Sequence, residues 1–421
     1  VSPAVPPIAA GDPPVVVVGA GIVGVATALS LRRLGCDVVL VDRVGPGAGA
    51  SSGNGGILAR CAVVPVTTPG LWRTAPGLML RRDGPLFVRW GGLVGLLPWL
   101  ARYLAQATPA RTAATARALA PLLLDSLDAH QALAAGTPAA RYLRPTDYLY
   151  LYRDRRAFEA DAFAWRLRAA AGLTWTELDR AALAAREPAL SRARGFAVAL
   201  PDHGIVTDPG AYVAALAAAF VAADGRIETA AVRALVPDAD GVTLRTEAGD
   251  LRAGHVVVAA GVEADRLARP LGATVPLAAE RGYHLELANA APGPLHPMMD
   301  AARKMVVTPM DGRVRLAGLV ELGGRPGAPP AARPPRLLAR GAAELFPDLR
   351  HAGATPWAGA RPSTPDSLPV LGPLPASGRV VAAYGHQHVG LTAGATTGRL
   401  VAALLTGHRP NLDLAPYRPD R

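Results

Sequence analysis

The chain is predicted to be α/β, α+β overall, with a Rossmann-like dinucleotide-binding domain assembled from separated segments and a second domain built on a mainly antiparallel sheet. Three observations predict it. Four valines, Val15 to Val18, run straight into Gly19-Ala20-Gly21-Ile22-Val23-Gly24. A second apolar run, 38–41, ends on Asp42. Far along the chain, HVVVAAG at 255–261 has the pattern of another buried strand stopping at glycine, so the nucleotide domain is discontinuous.

The first unit reads mechanically. Gly19 allows the tight turn out of the strand, Gly21 lets the backbone approach a pyrophosphate, and Gly24 lets the helix 22–34 pack closely on the sheet. The unpaired N–H groups at that helix start favour an anion. Asp42, at the tip of the second strand, can accept hydrogen bonds from a ribose, and its charge disfavours a 2′-phosphate, which argues against NADP. FAD and NAD both remain open at this point.

Residues 1–14 carry no basic start and no apolar core and read as a disordered lead-in rather than a signal peptide. The run GPGAGASSGNGG, 45–56, is too glycine-rich for a helix or a paired strand and reads as a loop that wraps a bound molecule rather than a flexible surface loop. From 67 to 136 the alanine- and leucine-rich chain reads as several helices interrupted by Pro85, Pro98, Pro109 and Pro121. A strand at 147–153 and a helix at 155–171 follow. Asp208-Pro209 opens a helix as N-cap and first residue, and 226–230 is a short strand. The β-patterned runs 282–288, 304–308 and 314–320 suggest the second sheet, and 380–384, a turn at 385–392 and a helix to Leu405 close the chain. These readings place the nucleotide domain at 15–80, 202–275 and 350–421, and the substrate domain at 81–201 and 276–349.

Length and composition narrow the function. At 421 residues there is room for two cores, and 50% apolar with 18% charged residues describes a globular protein. The net charge of +11 is almost all arginine, with Lys304 the only lysine, and no basic stripe alternates with aromatics, so nucleic acid is not an expected partner. Attraction of anionic substrates or of an anionic membrane face fits better. Two cysteines, Cys36 and Cys61, allow at most one bridge and suit a reducing, cytoplasmic setting. The apolar stretch 91–100 is too short to span a membrane and is broken by Pro98; its Leu93–Leu100 part reads as core packing, with peripheral docking on the inner face of the cell membrane as the alternative. No metal site is expected.

Four stretches carry more than physics alone supplies: VVVVGAGIVG, GASSGNGGILARCAVVP, ERGYHLEL, and WAGARPSTPDSLPVLG with the following GHQHVGLT. With them the chain resembles the D-amino-acid oxidase superfamily of flavoproteins, above all its bacterial branch of D-amino acid dehydrogenases and glycine-oxidase-like and glyphosate-oxidoreductase-like enzymes. The resemblance spans everything after the first dozen residues and implies FAD, bound extended between the two domains. It implies cofactor contacts from Gly19, Gly21, Ile22, Val23 and Gly24; from Asp42 and Arg43; from Ala50, Ser51, Ser52, Asn54, Gly55, Gly56 and Ile57; from Val232, Ala260 and Gly261; and from Arg361, Gly385, His386, His388, Val389, Gly390, Leu391 and Thr392. Members that hold flavin covalently use cysteine or histidine; Ser51 and Ser52 occupy the matching loop here, and the expectation is noncovalent FAD.

The implied reaction is oxidative deamination. Hydride leaves Cα of a D-amino acid for flavin N5, and the imine hydrolyses to a 2-oxo acid and an amine. Arg361 matches the arginine that clamps the substrate carboxylate, which its planar fork suits. His388 stands where the glycine-oxidase-like branch has a second arginine, and is either a carboxylate contact or a base. His386, Tyr283 and Lys304 are weaker candidates for the site. Tyr283 and its neighbour His284 must face opposite ways in a regular strand. Related readings are oxidation of N-substituted glycines or cyclic imino acids (sarcosine-, glyphosate- or D-hydroxyproline-like), and a non-catalytic flavin-binding redox module. The expected electron acceptor is a quinone or oxygen.

Overall fold

The computed structural model describes residues 3–9, 11–80, 84–324 and 329–421. Residues 1, 2 and 10 of the expected lead-in, and the start of the expected substrate-domain segment at 81, lie outside the described residues.

A six-stranded sheet carries the nucleotide-binding pattern, in the order Val370–Leu374, Ser377–Tyr384, His255–Val258, Val15–Val18, Val38–Asp42, Arg226–Thr229. Its five successive strands from Ser377–Tyr384 onward are parallel, with Val15 opposite both Val38 and His255. All four valines of the first strand are buried, because helices or strands cover both faces, which is why an unbroken apolar run suits the position. The helix Ile22–Arg33 packs beside the closing helix Gly390–Leu405, and Gly394 and Gly398 of the latter leave room for Ile22 and Ala26. The C-terminal ends of these parallel strands, at Gly19, Asp42 and Ala259, therefore lie along one edge of the sheet.

The second sheet has ten strands and is mainly antiparallel. Its main path runs Gly353–Ser363, Ala278–Ala288, Arg313–Leu322, Met305–Met310, Met298–Asp300, Leu143–Tyr152, Phe196–Val206, Ile57–Leu58. Gly353–Ser363, which the expected limit at 350 groups with the nucleotide segments, hydrogen-bonds along its whole length to Ala278–Ala288 in this large sheet. A small three-stranded sheet, Val232–Pro237 to Ala253, completes the fold.

Several local expectations meet a different outcome. Pro98 and Pro121 lie inside helices, Trp90–Ala105 and Pro109–Leu123, rather than between them. The lead-in is held: Pro6 C=O is bonded to His255 Nε2 at 2.8 Å and Ile8 N–H donates to Leu405 C=O at 3.3 Å. The Leu93–Leu100 run does not pack as core throughout, since Val94 is 75% and Leu97 53% exposed while Trp99 is buried. No helix among the described residues is long and apolar enough to cross a membrane.

Candidate active site

The glycine turn forms a cradle that side chains would fill. Gly19 has φ +108°, in the left-handed region, and a Cβ there would press into the backbone of Ala259. A Cβ on Gly24 would overlap the Gly19 carbonyl, so the helix can approach the turn only with glycine at that position. Ile22–Arg33 and Gly390–Leu405 both begin without a side-chain cap and without an acidic residue in the first turn. Their open N-termini favour anionic groups. Asp42 reaches back to the turn, accepting from Ala20 N–H at 2.8 Å and from Val44 and Gly45 N–H at 2.8 and 3.0 Å. Near its tip, Ala230 N–H donates to the Asp42 carbonyl, Arg43 faces Glu263 at 3.8 Å, and Arg266 donates to Val232 C=O, with Ala260 and Gly261 following the neighbouring strand. A strand edge with a side-chain-free turn, two helix starts whose own N-cap residues supply no side-chain cap, and a carboxylate fits an extended dinucleotide such as FAD.

The glycine loop is pinned from the second sheet. Ile22 N–H donates to Ser51 Oγ at 3.0 Å, and Gly56 N–H to Asn54 Oδ1 at 2.9 Å. Arg315, 4% exposed, donates to the carbonyls of Ser52 and Asn54 and to Glu286, while Thr308 Oγ1 donates to Gly55 C=O at 2.7 Å. His284 binds Gly53 C=O through Nδ1 at 3.1 Å and stacks on Trp357, ring centroids 5.0 Å apart. Burial and the Arg315 charge push His284 down to about 4, so it is neutral and Nδ1–H is the donor. At the other end, Thr392 Oγ1 joins the closing helix to Ile57 C=O at 3.3 Å.

Arg361 and His388 come together beside this loop. Gly282 provides the place for Arg361: a Cβ on Gly282 would lie 2.5 Å from Nη2, so the guanidinium lies over a residue without a side chain. Protein surrounds Arg361 and burial lowers its pKa, yet among the described residues it has no hydrogen bond and no ion pair. His388 is open to solvent within the same enclosure, and burial followed by the Arg361 charge pushes it down to about 4. A solvent-reached guanidinium that makes no hydrogen bond or ion pair among the described residues is chemically suited to an external anion.

The side chains of three other sequence candidates are engaged with protein groups or exposed to solvent. Tyr283 is on the opposite face of its strand, where its O–H donates to Glu321 at 2.7 Å and accepts from Ala331 N–H. The pleat decides this, because Glu280, Gly282 and His284 share the Arg361 face. His386 points into the closing helix, with Nε2 3.0 Å from Thr397 Oγ1. Lys304 is exposed at a turn, φ +52°, just before the strand Met305–Met310.

Sequence reasoning did not single out Glu280, Tyr103, Trp357 or Arg315. Glu280 is the register partner of Arg361, and Tyr103 reaches toward it from the helix Trp90–Ala105, stacked on Trp99 at 4.7 Å. Trp99 in turn donates through Nε1 to Ser363 C=O at 3.1 Å, tying that helix to the end of the strand that carries Arg361. The i, i+4 spacing of Trp99 and Tyr103, which puts two aromatic rings on one helix face, was the available signal. Among the described residues no group of acids, cysteines and histidines could hold a metal ion.

Comparison with known proteins points to a flavoprotein family. A family described as FAD dependent oxidoreductase, DAO, matches residues 14–404. A D-amino-acid oxidase of Bradyrhizobium diazoefficiens is 38% identical over 415 residues, covering 97% of this chain and 98% of the relative. A D-amino acid dehydrogenase of Paramagnetospirillum magneticum is 34% identical over 407 residues, covering 94% and 96%. The crystal structure of glycine oxidase from Geobacillus kaustophilus superposes with a TM-score of 0.74 at 24% identity, over 97% of this chain and 99% of that one.

Proposed function

This chain belongs to the DAO family of FAD-dependent oxidoreductases, and on that footing we propose that it oxidises the Cα–N bond of a D-amino acid. The products are a 2-oxo acid and ammonia, formed when water hydrolyses the imine. The observation that carries the reading is Arg361, an enclosed guanidinium with no hydrogen bond and no ion pair among the described residues. Relatives named D-amino-acid oxidase and D-amino acid dehydrogenase, alike over nearly the whole chain, support the substrate class.

FAD, when bound, supplies the acceptor for the hydride of Cα–H. Its holders among these residues are the Gly19–Gly24 turn, Asp42, the pinned loop 50–57 and the start of the closing helix. The cradle suits noncovalent binding. Arg361 takes the substrate carboxylate through two parallel N–H···O bonds and so fixes which hydrogen on Cα faces the cofactor. His388, neutral beside that cation, offers ring nitrogens to hydrogen-bond the substrate rather than a second positive charge. Trp99 and Tyr103 on one side and Trp357 on the other limit water at the site.

The acceptor proposed for the electrons is a membrane quinone. The helix that lends Trp99 and Tyr103 to the site turns Trp90, Val94 and Leu97 outward, with Arg102 exposed on the same element, as a helix lying on an anionic lipid surface would. Flotation with vesicles of anionic phospholipid at low salt tests this, and absence of binding together with rapid oxygen consumption rejects it in favour of an oxidase. The reaction itself is tested by an anaerobic screen of D-, L- and N-alkyl amino acids that follows loss of the oxidised flavin absorbance. Reduction by D-amino acids is expected. Reduction only by N-alkyl glycines or cyclic imino acids, or by nothing, overturns the reading.

A further inference from the structure

Arg361 is not alone in lacking a partner. Glu280 stands opposite it on the adjacent strand, so both side chains leave the sheet on one face. Arg361 leans over Gly282, two residues along, and no ion pair forms between the two. Ser363 Oγ faces the Glu280 carboxyl and holds it down, yet it is buried and makes no hydrogen bond of normal geometry among the described residues. One face of the sheet thus holds, among the described residues, a cation and an acid that form no ion pair and a hydroxyl without a hydrogen bond. Leaving such groups unpaired is costly, and a ligand carrying both charges would pair them together. An α-amino acid zwitterion is such a ligand.

Resting on the amino-acid reading above, we propose that Glu280 receives the substrate's ammonium group and accepts one of its protons. An N–H bond breaks, an O–H bond forms on Glu280, and the electron pair stays on nitrogen, leaving the neutral amine that oxidation at Cα requires. The groups facing Glu280 favour this assignment. They are Arg361 and Ser363 from the clamp strand, Tyr103 from the helix Trp90–Ala105 and, beyond Arg361, His388 from the turn before the closing helix. Burial raises the Glu280 carboxyl, and the Ser363 hydroxyl and then the Arg361 charge oppose that rise. When the substrate carboxylate covers Arg361, the opposing charge is offset, so binding itself increases the proton affinity of Glu280. His388 is the poorer acceptor, since burial and the same cation hold it near 4. Burial and the nearby Glu280 raise Tyr103, so it keeps its proton and is a hydrogen-bond donor at the site.

Two non-oxidisable probes separate the charges: 2-aminoisobutyrate, an amino acid with no hydrogen on Cα, and isobutyrate, the same acid without the amine. Calorimetric titration of the holoenzyme at neutral pH is expected to show that Glu280→Gln weakens 2-aminoisobutyrate by tenfold or more. Isobutyrate, which reports correct folding around Arg361, keeps or improves its affinity. In turnover, the Glu280→Gln deficit in kcat/KM is expected to shrink as pH rises past the substrate's own ammonium pKa, where no proton needs removing. An unchanged ratio of the two affinities, or a deficit independent of pH, overturns the role of Glu280 while leaving the clamp intact. Failure of isobutyrate to bind the wild-type holoenzyme overturns the amino-acid reading and this inference with it.

Discussion

Replacing Arg361 by methionine separates a binding role from a structural one, because the two make opposite demands on stability. The guanidinium donates to no protein group among the described residues, so no internal hydrogen bond is lost with it. Burial disfavours its charged form, with only Glu280 opposing, and an unpaired enclosed charge strains the empty protein. The melting temperature of Arg361→Met is therefore expected to be unchanged or higher. Affinity moves the other way. A charge-assisted fork to a carboxylate contributes about 3 kcal/mol, on the order of 150-fold in Kd. Arg361→Lys keeps the charge without the fork and is expected to fall between, roughly tenfold below wild type. Isobutyrate titration by calorimetry and scanning calorimetry of the same samples measure both quantities. An isobutyrate affinity within threefold of wild type, or a melting temperature lowered as by loss of a structural ion pair, refutes the reasoning.

Three further outcomes follow from the geometry. Gly24→Ala puts a methyl group into the Gly19 carbonyl, so the purified variant is expected to keep its far-ultraviolet circular dichroism but contain little FAD; wild-type flavin absorbance would contradict the cradle. Acid precipitation of the wild-type protein is expected to release the flavin into the supernatant, and a yellow pellet would show a covalent bond. His130, His284 and His386 are each buried and pushed down to about 4, chiefly by burial. The unfolded chain protonates these histidines near 6.5 while the folded chain resists until about 4, so stability is full above roughly pH 7 and falls as pH drops through that window, by up to about 3 kcal/mol per residue. Chemical denaturation at pH 7.5, 5.5 and 4.5 measures the slope, which should flatten in His386→Asn; a pH-independent midpoint would mean that these rings are not held neutral.

The nucleotide half of the fold was legible because its signals are local. Val15–Val18, the glycine spacing and Asp42 lie within 28 residues of one another, and each acts on its immediate neighbour in the chain, so reading order and spatial order coincide. The helix opened by Asp208-Pro209 was legible for the same reason, its Asp208 side chain accepting from Ala211 N–H at 3.0 Å. The proline breaks failed where tertiary packing outweighed local preference: Trp90–Ala105 continues through Pro98 because Trp99, next in sequence, is locked to Ser363 from a strand more than 250 residues away.

That same contact explains what the candidate site withheld. Arg361 could be found from a motif, but its neighbours come from three other places: strand 278–288, helix 90–105 and the turn at 387–389. Tyr283 and Glu280 illustrate the difficulty within a single strand. Both are polar groups in ERGYHLEL, and alternation predicts only that Tyr283 and His284 differ in face, not which face meets the nucleotide domain. Register supplies the missing sign. Glu280 opposite Arg361 and His284 opposite Trp357 assign the even positions to the site, and Tyr283 goes with Glu321 to the far side. A one-residue slip in that pairing would exchange the two sets and bury Tyr283 against the loop at Gly53. Gly282 resists such a slip, since a side chain in its place would displace Arg361, and Arg361 and its facing acid Glu280 are therefore set by the same register.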